Sequence, residues 1–181
     1  ICNRNVLLVD QRSSGESEGK TITFGIKERH DALSWVNFVI KEFGPDTKII
    51  LTGISMGAAT VLMASGMNLP EQVIGILADC GYNKPKDIVI KVVKDMKLPS
   101  NLVYPFIKLS ARIFGKFNLE EYSPYEAVQN TNIPIFFVHG ECDDFVPHDM
   151  SMKMFNACSS RKVFVSIPNA KHGTSYLANK D

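Results

Sequence analysis

Residues 49–70 constrain the fold of this chain more than any other stretch, because they include no charged side chain. The stretch is long enough to cross a bilayer as a single helix. However, Gly53 and Gly57 dilute its apolar character, and its β-branched start runs directly into a glycine-rich turn. We therefore interpret it as a buried strand at residues 48–52 followed by a buried helix at residues 56–65, and not as a membrane span.

The same alternation of strand and helix patterns extends along the whole chain. Apolar runs predict strands at residues 5–10, 48–52, 73–78, 133–138 and 162–167. Helical spacing predicts helices at residues 23–43, 56–65, 85–115 with breaks at Pro99 and Pro105, from 124, at 147–157, and from about 172. The strands are too apolar for a sheet with one solvated face. We expect one α/β domain over residues 1–181, with a mainly parallel sheet covered by helices on both faces.

Composition excludes several functional classes. The chain has 181 residues and is 45% hydrophobic, which is typical of a globular domain. Its 20 Lys and Arg nearly balance its 19 Asp and Glu, so no net charge favours nucleic acid as a partner. The four cysteines, Cys2, Cys80, Cys142 and Cys158, lack the spacing of a zinc site and the density of a disulfide scaffold. We expect free thiols, a cytoplasmic location and no cofactor.

One predicted loop carries a pattern with chemical meaning. In a parallel sheet, ligands bind beyond the carboxyl ends of the strands. The loop after residue 52 contains Gly53-Ile54-Ser55-Met56-Gly57, a G-x-S-x-G pattern between a strand and a helix. A sharp turn there would expose the Ser55 hydroxyl, and the Met56 backbone N–H would point toward a developing oxyanion. An ordinary strand-to-helix turn is the alternative.

A serine hydroxyl becomes a useful nucleophile only when a base removes its proton and a carboxylate orients that base. Asp143 follows the strand at 133–138, with Asp144 beside it, and His172 follows the strand at 162–167. Alone, Asp143 would be interpreted as a loop or capping carboxylate and His172 as a solvent-facing side chain. Their joint placement, in the order Ser, Asp, His, favours a catalytic triad.

In these motifs the chain resembles the α/β-hydrolases, and within them the bacterial esterase and serine-aminopeptidase-like group, which shares relatives with acyl-protein thioesterases and prolyl-oligopeptidase domains. The resemblance covers the whole chain and is carried by residues 10–17, 53–57, 139–147 and 172–173. It implies the α/β-hydrolase fold and assigns the acid to Asp143, four residues after His139, rather than to Asp144. Ser13 stands where the family often has glycine, which leaves the path of that loop open.

The resemblance also implies a helical lid or cap insertion, at residues 83–131. Its apolar side chains would either shape an acyl pocket or cover the sheet edge, and Tyr82 and Phe145 are expected at the substrate pocket. Residues 83–117 contain eight Lys or Arg and two Asp. That excess would suit an anionic substrate or a lipid surface, but we favour a solvated helix face.

The family sheet normally begins with three further strands before the one predicted at residues 5–10. We expect them in a segment that precedes Ile1, together with the second oxyanion donor, so that residues 1–181 alone would be a poor enzyme. A metal site is not predicted, because the side chains that could form one match no standard ligand motif: His139, Asp143, Asp144, His148 and Asp149.

The sequence therefore predicts a serine hydrolase that acts on a small-molecule acyl substrate through an acyl-enzyme, with carboxylesterase as the preferred activity. A peptidase or acyl-thioesterase of the same fold is the alternative. A non-catalytic scaffold that only binds is the alternative of a different class.

Overall fold

A computed structural model of the protein describes residues 4–178. The strands are β1 Ile49–Ile54, β2 Val73–Asp79, β3 Ile135–Gly140 and β4 Lys162–Ile167. The helices are α1 Glu28–Phe43, α2 Met56–Ser65, α3 Pro85–Asp95, α4 Ser100–Ile113, α5 Pro124–Val128, α6 His148–Ala157 and α7 Ser175–Ala178. The uncharged residues 49–70 thus supply β1 and α2, as predicted. Among the described residues, no helix has the length and apolarity needed to span a membrane.

The strands form one sheet in the order β1-β2-β3-β4, and all three neighbouring pairs are parallel. Ile54 pairs with Asp79 and Gly140 pairs with Ile167, so the carboxyl ends of the strands meet at one edge. This confirms the predicted α/β class. It also brings the loops after β1, β3 and β4 together, which are the loops with the candidate site residues.

One face of the sheet carries the main core. Helices α2, α5 and α6 pack there, around buried side chains that include Leu62, Ile76 and Phe137. On the opposite face the side chains of Ile50, Ile54, Phe136 and Val163 remain between 39% and 54% exposed. Helices therefore flank the sheet as expected, but within residues 4–178 they shield one face much better than the other.

The predicted strand at residues 5–10 is wrong for the structure as described. These residues adopt no strand, and Val6 and Leu8 are 79% and 90% exposed. A strand needs the backbone of a neighbour for its hydrogen bonds. Within the described residues β1 pairs only with β2, so residues 5–10 have no strand beside them. An apolar pattern alone predicts a strand, but it does not show whether a neighbouring strand is present to pair with it.

Two predicted helices differ from the structure for identifiable reasons. Helix α1 begins at Glu28 and not at residue 23, because the buried Glu28 carboxylate accepts hydrogen bonds from the backbone and hydroxyl of Thr23 and thereby stabilises a turn. The break predicted at Pro99 falls between α3 and α4, where Pro99 is the N-cap of α4, but Pro105 lies inside α4. The carbonyl that Pro105 leaves unpaired belongs to the exposed Asn101, where water can satisfy it.

Helix α5 begins as the sequence predicts. Pro124 is its first residue, and the Ser123 hydroxyl oxygen accepts a hydrogen bond from the Glu126 backbone N–H. This contact satisfies one of the unpaired N–H groups of the first turn.

Candidate active site

Ser55 is the single residue between β1 and α2. Its φ of 55° and ψ of −115° are strained for any residue other than glycine. The Ser55 N–H donates to the Asp79 carbonyl at 2.9 Å, and the Ser55 carbonyl accepts from the Ala59 N–H at 3.0 Å. The turn is therefore held from both sides, by the neighbouring strand and by the helix that follows.

The first glycine of the pattern is required by packing. A Cβ atom at Gly53 would lie 2.2 Å from the carbonyl carbon of Gly57, so a side chain there would push α2 off the strand. A Cβ atom at Gly57 would meet nothing within 4 Å. Of the two glycines of the pattern, only Gly53 is therefore required by close packing. Met56 opens α2, so its backbone N–H has no partner within the helix.

The Asp143 side chain is fully buried just beyond β3. One carboxylate oxygen accepts backbone N–H bonds from Phe145 and Val146 at 3.0 and 2.8 Å. The other lies 2.8 Å from His172 Nδ1. Because an ionised carboxylate only accepts, Nδ1 carries the proton in this arrangement. Asp144 is exposed, and its carbonyl accepts a hydrogen bond from Lys91. Of the two neighbouring aspartates, Asp143 is the one that contacts His172.

His172 lies between the carboxylate and the serine. Its Nε2 is 2.9 Å from Ser55 Oγ, and with Nδ1 protonated Nε2 accepts the serine proton. The imidazole side chain is 26% exposed, and the centre of the Phe145 ring lies 5.0 Å from the centre of the imidazole ring. The structure thus brings Ser55, Asp143 and His172 into one hydrogen-bonded chain, with the half-exposed Phe145 against the histidine.

His139 supports the acid loop, a role that the sequence analysis did not assign. The ring is fully buried, with Nδ1 2.7 Å from Ser151 Oγ. Its Nε2 lies 2.9 Å from the Val146 carbonyl and 3.2 Å from the nearer Asp143 oxygen. Both of these neighbours are acceptors, so Nε2 carries the proton. Burial lowers the pKa of His139, which keeps the ring neutral. The sequence feature that could have indicated this role is the position of His139 at the carboxyl end of a buried strand.

Asp79 is the second group that sequence reasoning missed. It ends β2, and its carboxylate accepts the Ser175 hydroxyl hydrogen bond at 2.8 Å, across 96 positions of sequence. Its backbone carbonyl accepts the bond from Ser55 described above. Burial raises the pKa of the Asp79 carboxyl. One residue therefore connects the serine turn with the segment that follows His172.

The two residues predicted for the substrate pocket lie in different environments. Phe145 is 45% exposed beside His172. Tyr82 is only 3% exposed and packs in a buried cluster with Ala59, Ile88 and Val146. Its hydroxyl has no hydrogen-bond partner among the described residues. The structure thus brings Phe145, but not an exposed Tyr82, to the site.

One group of potential metal ligands occurs within residues 4–178. The ligand atoms of Cys80, Asp143 and His172 lie within 4.8 Å of one another. Burial raises the pKa of the Cys80 thiol to about 12, so it stays protonated, whereas metals bind the thiolate. Asp143 and His172 are already bonded to each other. The absence of a metal site stays a prediction. The described cysteines are unpaired, and Cys2 lies outside the described residues.

A family comparison bears directly on this geometry. The model of the prolyl oligopeptidase family matches residues 21–180, which include all three residues of the hydrogen-bonded chain. The chain belongs to the prolyl oligopeptidase family. It is 26% identical over 177 residues to the uncharacterized protein YqkD of Bacillus subtilis, covering 97% of this chain and 58% of that protein. It is 24% identical over 180 residues to the protein bem46 of Schizosaccharomyces pombe, covering 98% and 54%. The chain therefore spans little more than half the length of these relatives.

Solved structures show the same fold. The Pyrococcus furiosus esterase Pf2001 superimposes with a TM-score of 0.68 at 20% identity, covering 92% of this chain and 62% of the esterase. The Pyrococcus horikoshii acylaminoacyl peptidase superimposes with a TM-score of 0.60 at 16% identity, covering 85% and 25%. These likenesses, with the family match, confirm that the chain is a member of the α/β-hydrolase superfamily and corresponds to part of the larger hydrolase chains.

Proposed function

We propose that this protein is a serine hydrolase that cleaves a carboxylic ester, thioester or amide through an acyl-enzyme on Ser55. The observation that carries the proposal is the hydrogen-bonded chain from Asp143 through His172 to Ser55, with heavy-atom distances of 2.8 and 2.9 Å. These distances fall within the range in which a base can take a proton from a nucleophile. A non-catalytic scaffold would not need a strained serine aligned with a buried carboxylate.

The geometry defines the role of each group in acylation. His172 Nε2 removes the Ser55 proton while Oγ attacks the substrate carbonyl carbon. Asp143 holds the imidazole and stabilises its cation. The oxyanion of the tetrahedral intermediate faces the Met56 backbone N–H. The intermediate collapses when His172 returns the proton to the leaving alcohol, thiol or amine, which departs and leaves the acyl group on Ser55.

Deacylation reverses these roles with water as the nucleophile. His172 takes a proton from the water as its oxygen attacks the acyl carbon, and then returns a proton to Ser55 Oγ as the acid product leaves. No cofactor takes part in any step.

A carboxylic ester is the substrate that we favour, and the likeness to the Pyrococcus furiosus esterase supports it. An amide is the second candidate, because the family is named for a peptidase and the chain also resembles an acylaminoacyl peptidase. The chemistry on Ser55 is the same for both. What differs is the protonation of the leaving group, which is more demanding for an amine.

A covalent probe tests the nucleophile. A fluorophosphonate should label the natural protein at Ser55, and Ser55→Ala should abolish the labelling because the attacking oxygen is gone. Ser34→Ala is the matched control, since that hydroxyl donates only to a carbonyl within α1 and its loss should leave labelling unchanged. Labelling that persists in Ser55→Ala would contradict the proposal. Matched acyl esters, thioesters and anilides then distinguish the bond that is cleaved.

A further inference from the structure

Helix α4 is apolar on two opposite faces. One face packs into a core cluster through Tyr104, Ile107 and Ala111, against partners that include Met63 and Phe117. The opposite face presents four large apolar side chains to solvent: Leu102, Phe106, Leu109 and Ile113, which are 63%, 67%, 54% and 57% exposed. Their spacing of four, three and four residues places them in one row along the helix. We call these four residues the α4 stripe.

Further exposed apolar side chains flank α4 in the sequence. Met96 precedes the helix with 64% exposure, and Phe114 follows it with 81%. Single exposed apolar residues are common, but a continuous row of this length marks an interaction site on a soluble surface. The sequence analysis expected these side chains to shape an acyl pocket or to cover the sheet edge. In the structure it is the other face of α4 that packs against the protein.

The charged side chains of the segment that carries the α4 stripe are all of one sign. Residues 96–117 contain no Asp or Glu, and their charged side chains are Lys97, Lys108, Arg112 and Lys116. Lys108 forms an ion pair with Glu120. The other three form no ion pair with a carboxylate of the described residues. An apolar row bordered by cations is the arrangement of helices that lie in the interface of an anionic bilayer.

We propose that the α4 stripe is a docking surface for an anionic lipid bilayer. The apolar side chains insert at the boundary between headgroups and acyl chains, while the Lys and Arg stems reach the phosphates. A second copy of this chain fits less well. A two-fold contact through α4 would place the same cations opposite one another, and the segment supplies no carboxylate to pair with them. A solvated helix face would be polar, whereas the exposed row consists of large apolar side chains, and this favours the lipid surface.

The docking surface also connects to the candidate active site. Helix α3 packs against α4, and its Lys91 donates a hydrogen bond to the Asp144 carbonyl. The Lys91 ammonium lies 5.5 Å from the centre of the Phe145 ring, which packs against His172. Helix α3 therefore links the helix that carries the α4 stripe to the acid loop. The proposal does not rest on hydrolysis, because binding is measured in protein that carries Ser55→Ala.

Vesicle co-sedimentation tests the proposal, with Ser55→Ala present in every protein that is measured. One set of vesicles contains phosphatidylcholine alone, and the other contains phosphatidylcholine mixed with phosphatidylglycerol. We expect at least roughly tenfold stronger partition to the mixed vesicles, because each basic residue near an anionic surface adds a favourable electrostatic contribution. Added salt should reduce this difference, since it screens exposed charges.

Paired variants separate the apolar and the electrostatic contributions. Phe106→Ser with Leu109→Ser should weaken partition by at least about tenfold, because two inserted side chains are lost. Phe38→Ser with Phe43→Ser on α1 is the matched control, since those rings are 43% and 68% exposed on another helix. Lys97→Gln with Lys116→Gln should remove most of the preference for phosphatidylglycerol. All of these side chains are exposed, so unchanged circular dichroism melting curves are expected.

Three outcomes would overturn the proposal. The first is no binding to either kind of vesicle, which would also be the result if another part of the protein covered the α4 stripe. The second is equal partition of the stripe variant and the α1 control. The third is a dimer in sedimentation velocity that the stripe variant dissociates, because the row would then serve self-association.

Discussion

The candidate active site and the α3–α4 segment, residues 85–113, are held in very different ways. At the site, the fully buried Asp143 carboxylate accepts hydrogen bonds from two backbone N–H groups and from His172. The α3–α4 segment is held by the packing of one face of each helix and by exposed ion pairs, such as those of Lys86 and Lys108 with Glu120. The side chains at the strand ends are thus fixed by hydrogen bonds, whereas those of the α3–α4 segment make exposed contacts that can rearrange.

The difference matters because the two tasks tolerate error differently. Proton transfer between Ser55 and His172 fails when the atoms move by a fraction of an ångström, so a rigid, buried support is required. A surface that contacts lipid or an acyl chain needs apolar area and charge, not a fixed geometry. Substitutions at the site should therefore lower kcat, whereas substitutions in the α3–α4 segment should change binding.

The largest effect is expected at Asp143. Asp143→Asn should lower kcat by about ten thousand-fold, because an amide that donates to Nδ1 would favour the wrong tautomer of His172. Asp144→Asn is the matched control one residue away, and its exposed side chain should matter little. Steady-state kinetics on an activated ester measures both. A larger loss in Asp144→Asn than in Asp143→Asn would reverse the assignment.

The proximity of the three candidate residues was easier to predict from the sequence than the surfaces around them. Ser55, Asp143 and His172 could be placed because each follows a strand, and parallel strands bring their carboxyl ends to one edge. The bond between Asp79 and Ser175 could not, because it joins positions 96 apart that no local pattern connects. The same limit applies to residues 5–10, because a strand needs a neighbouring strand and a local apolar pattern does not show whether one is present.

Helix α4 shows a second limit of prediction. Its apolar residues fall on both faces of the helix, so periodicity alone could not decide which face is buried. That choice depends on the core cluster around Met63 and Phe117, which assembles from distant parts of the chain. The resemblance suggested a lid or cap over residues 83–131, and that role remains a proposal.

An intermediate effect is expected at Asp79, where stability and activity should change in opposite directions. Burial raises the pKa of this carboxyl, so its ionised form is less favourable in the folded protein than in the unfolded chain. Asp79→Asn removes that cost and keeps an acceptor for the Ser175 hydroxyl. The variant should therefore have a higher Tm at neutral pH, and the gain should shrink as the pH falls and the wild-type carboxyl becomes protonated.

The activity of Asp79→Asn should fall by about tenfold in kcat, because a negative charge near the cationic His172 of the transition state is lost. Ser175→Ala is the companion variant, and it should lower the Tm because it leaves a buried carboxylate without its donor. Calorimetry and kinetics on the same preparations provide both readouts. A lower Tm together with unchanged kcat in Asp79→Asn would show that Asp79 is purely structural.

The smallest effect is expected at Glu120, which forms ion pairs with the α3–α4 segment. The ammonium groups of Lys108 and Lys86 lower the pKa of this carboxyl to about 2, so its ionised form is favoured in the folded protein. The stability it contributes is present above the unfolded carboxyl pKa and is lost as the pH falls toward about 2. Because the ion pairs are exposed and screened by solvent, Glu120→Gln should cost less than about 1 kcal/mol in the free energy of unfolding at neutral pH. Urea titrations at low and high salt measure this cost, which salt should reduce. A fall in kcat comparable to that of Asp79→Asn would mean that the α3–α4 segment also fixes the catalytic geometry, and the division between a rigid site and an adaptable surface would then be wrong.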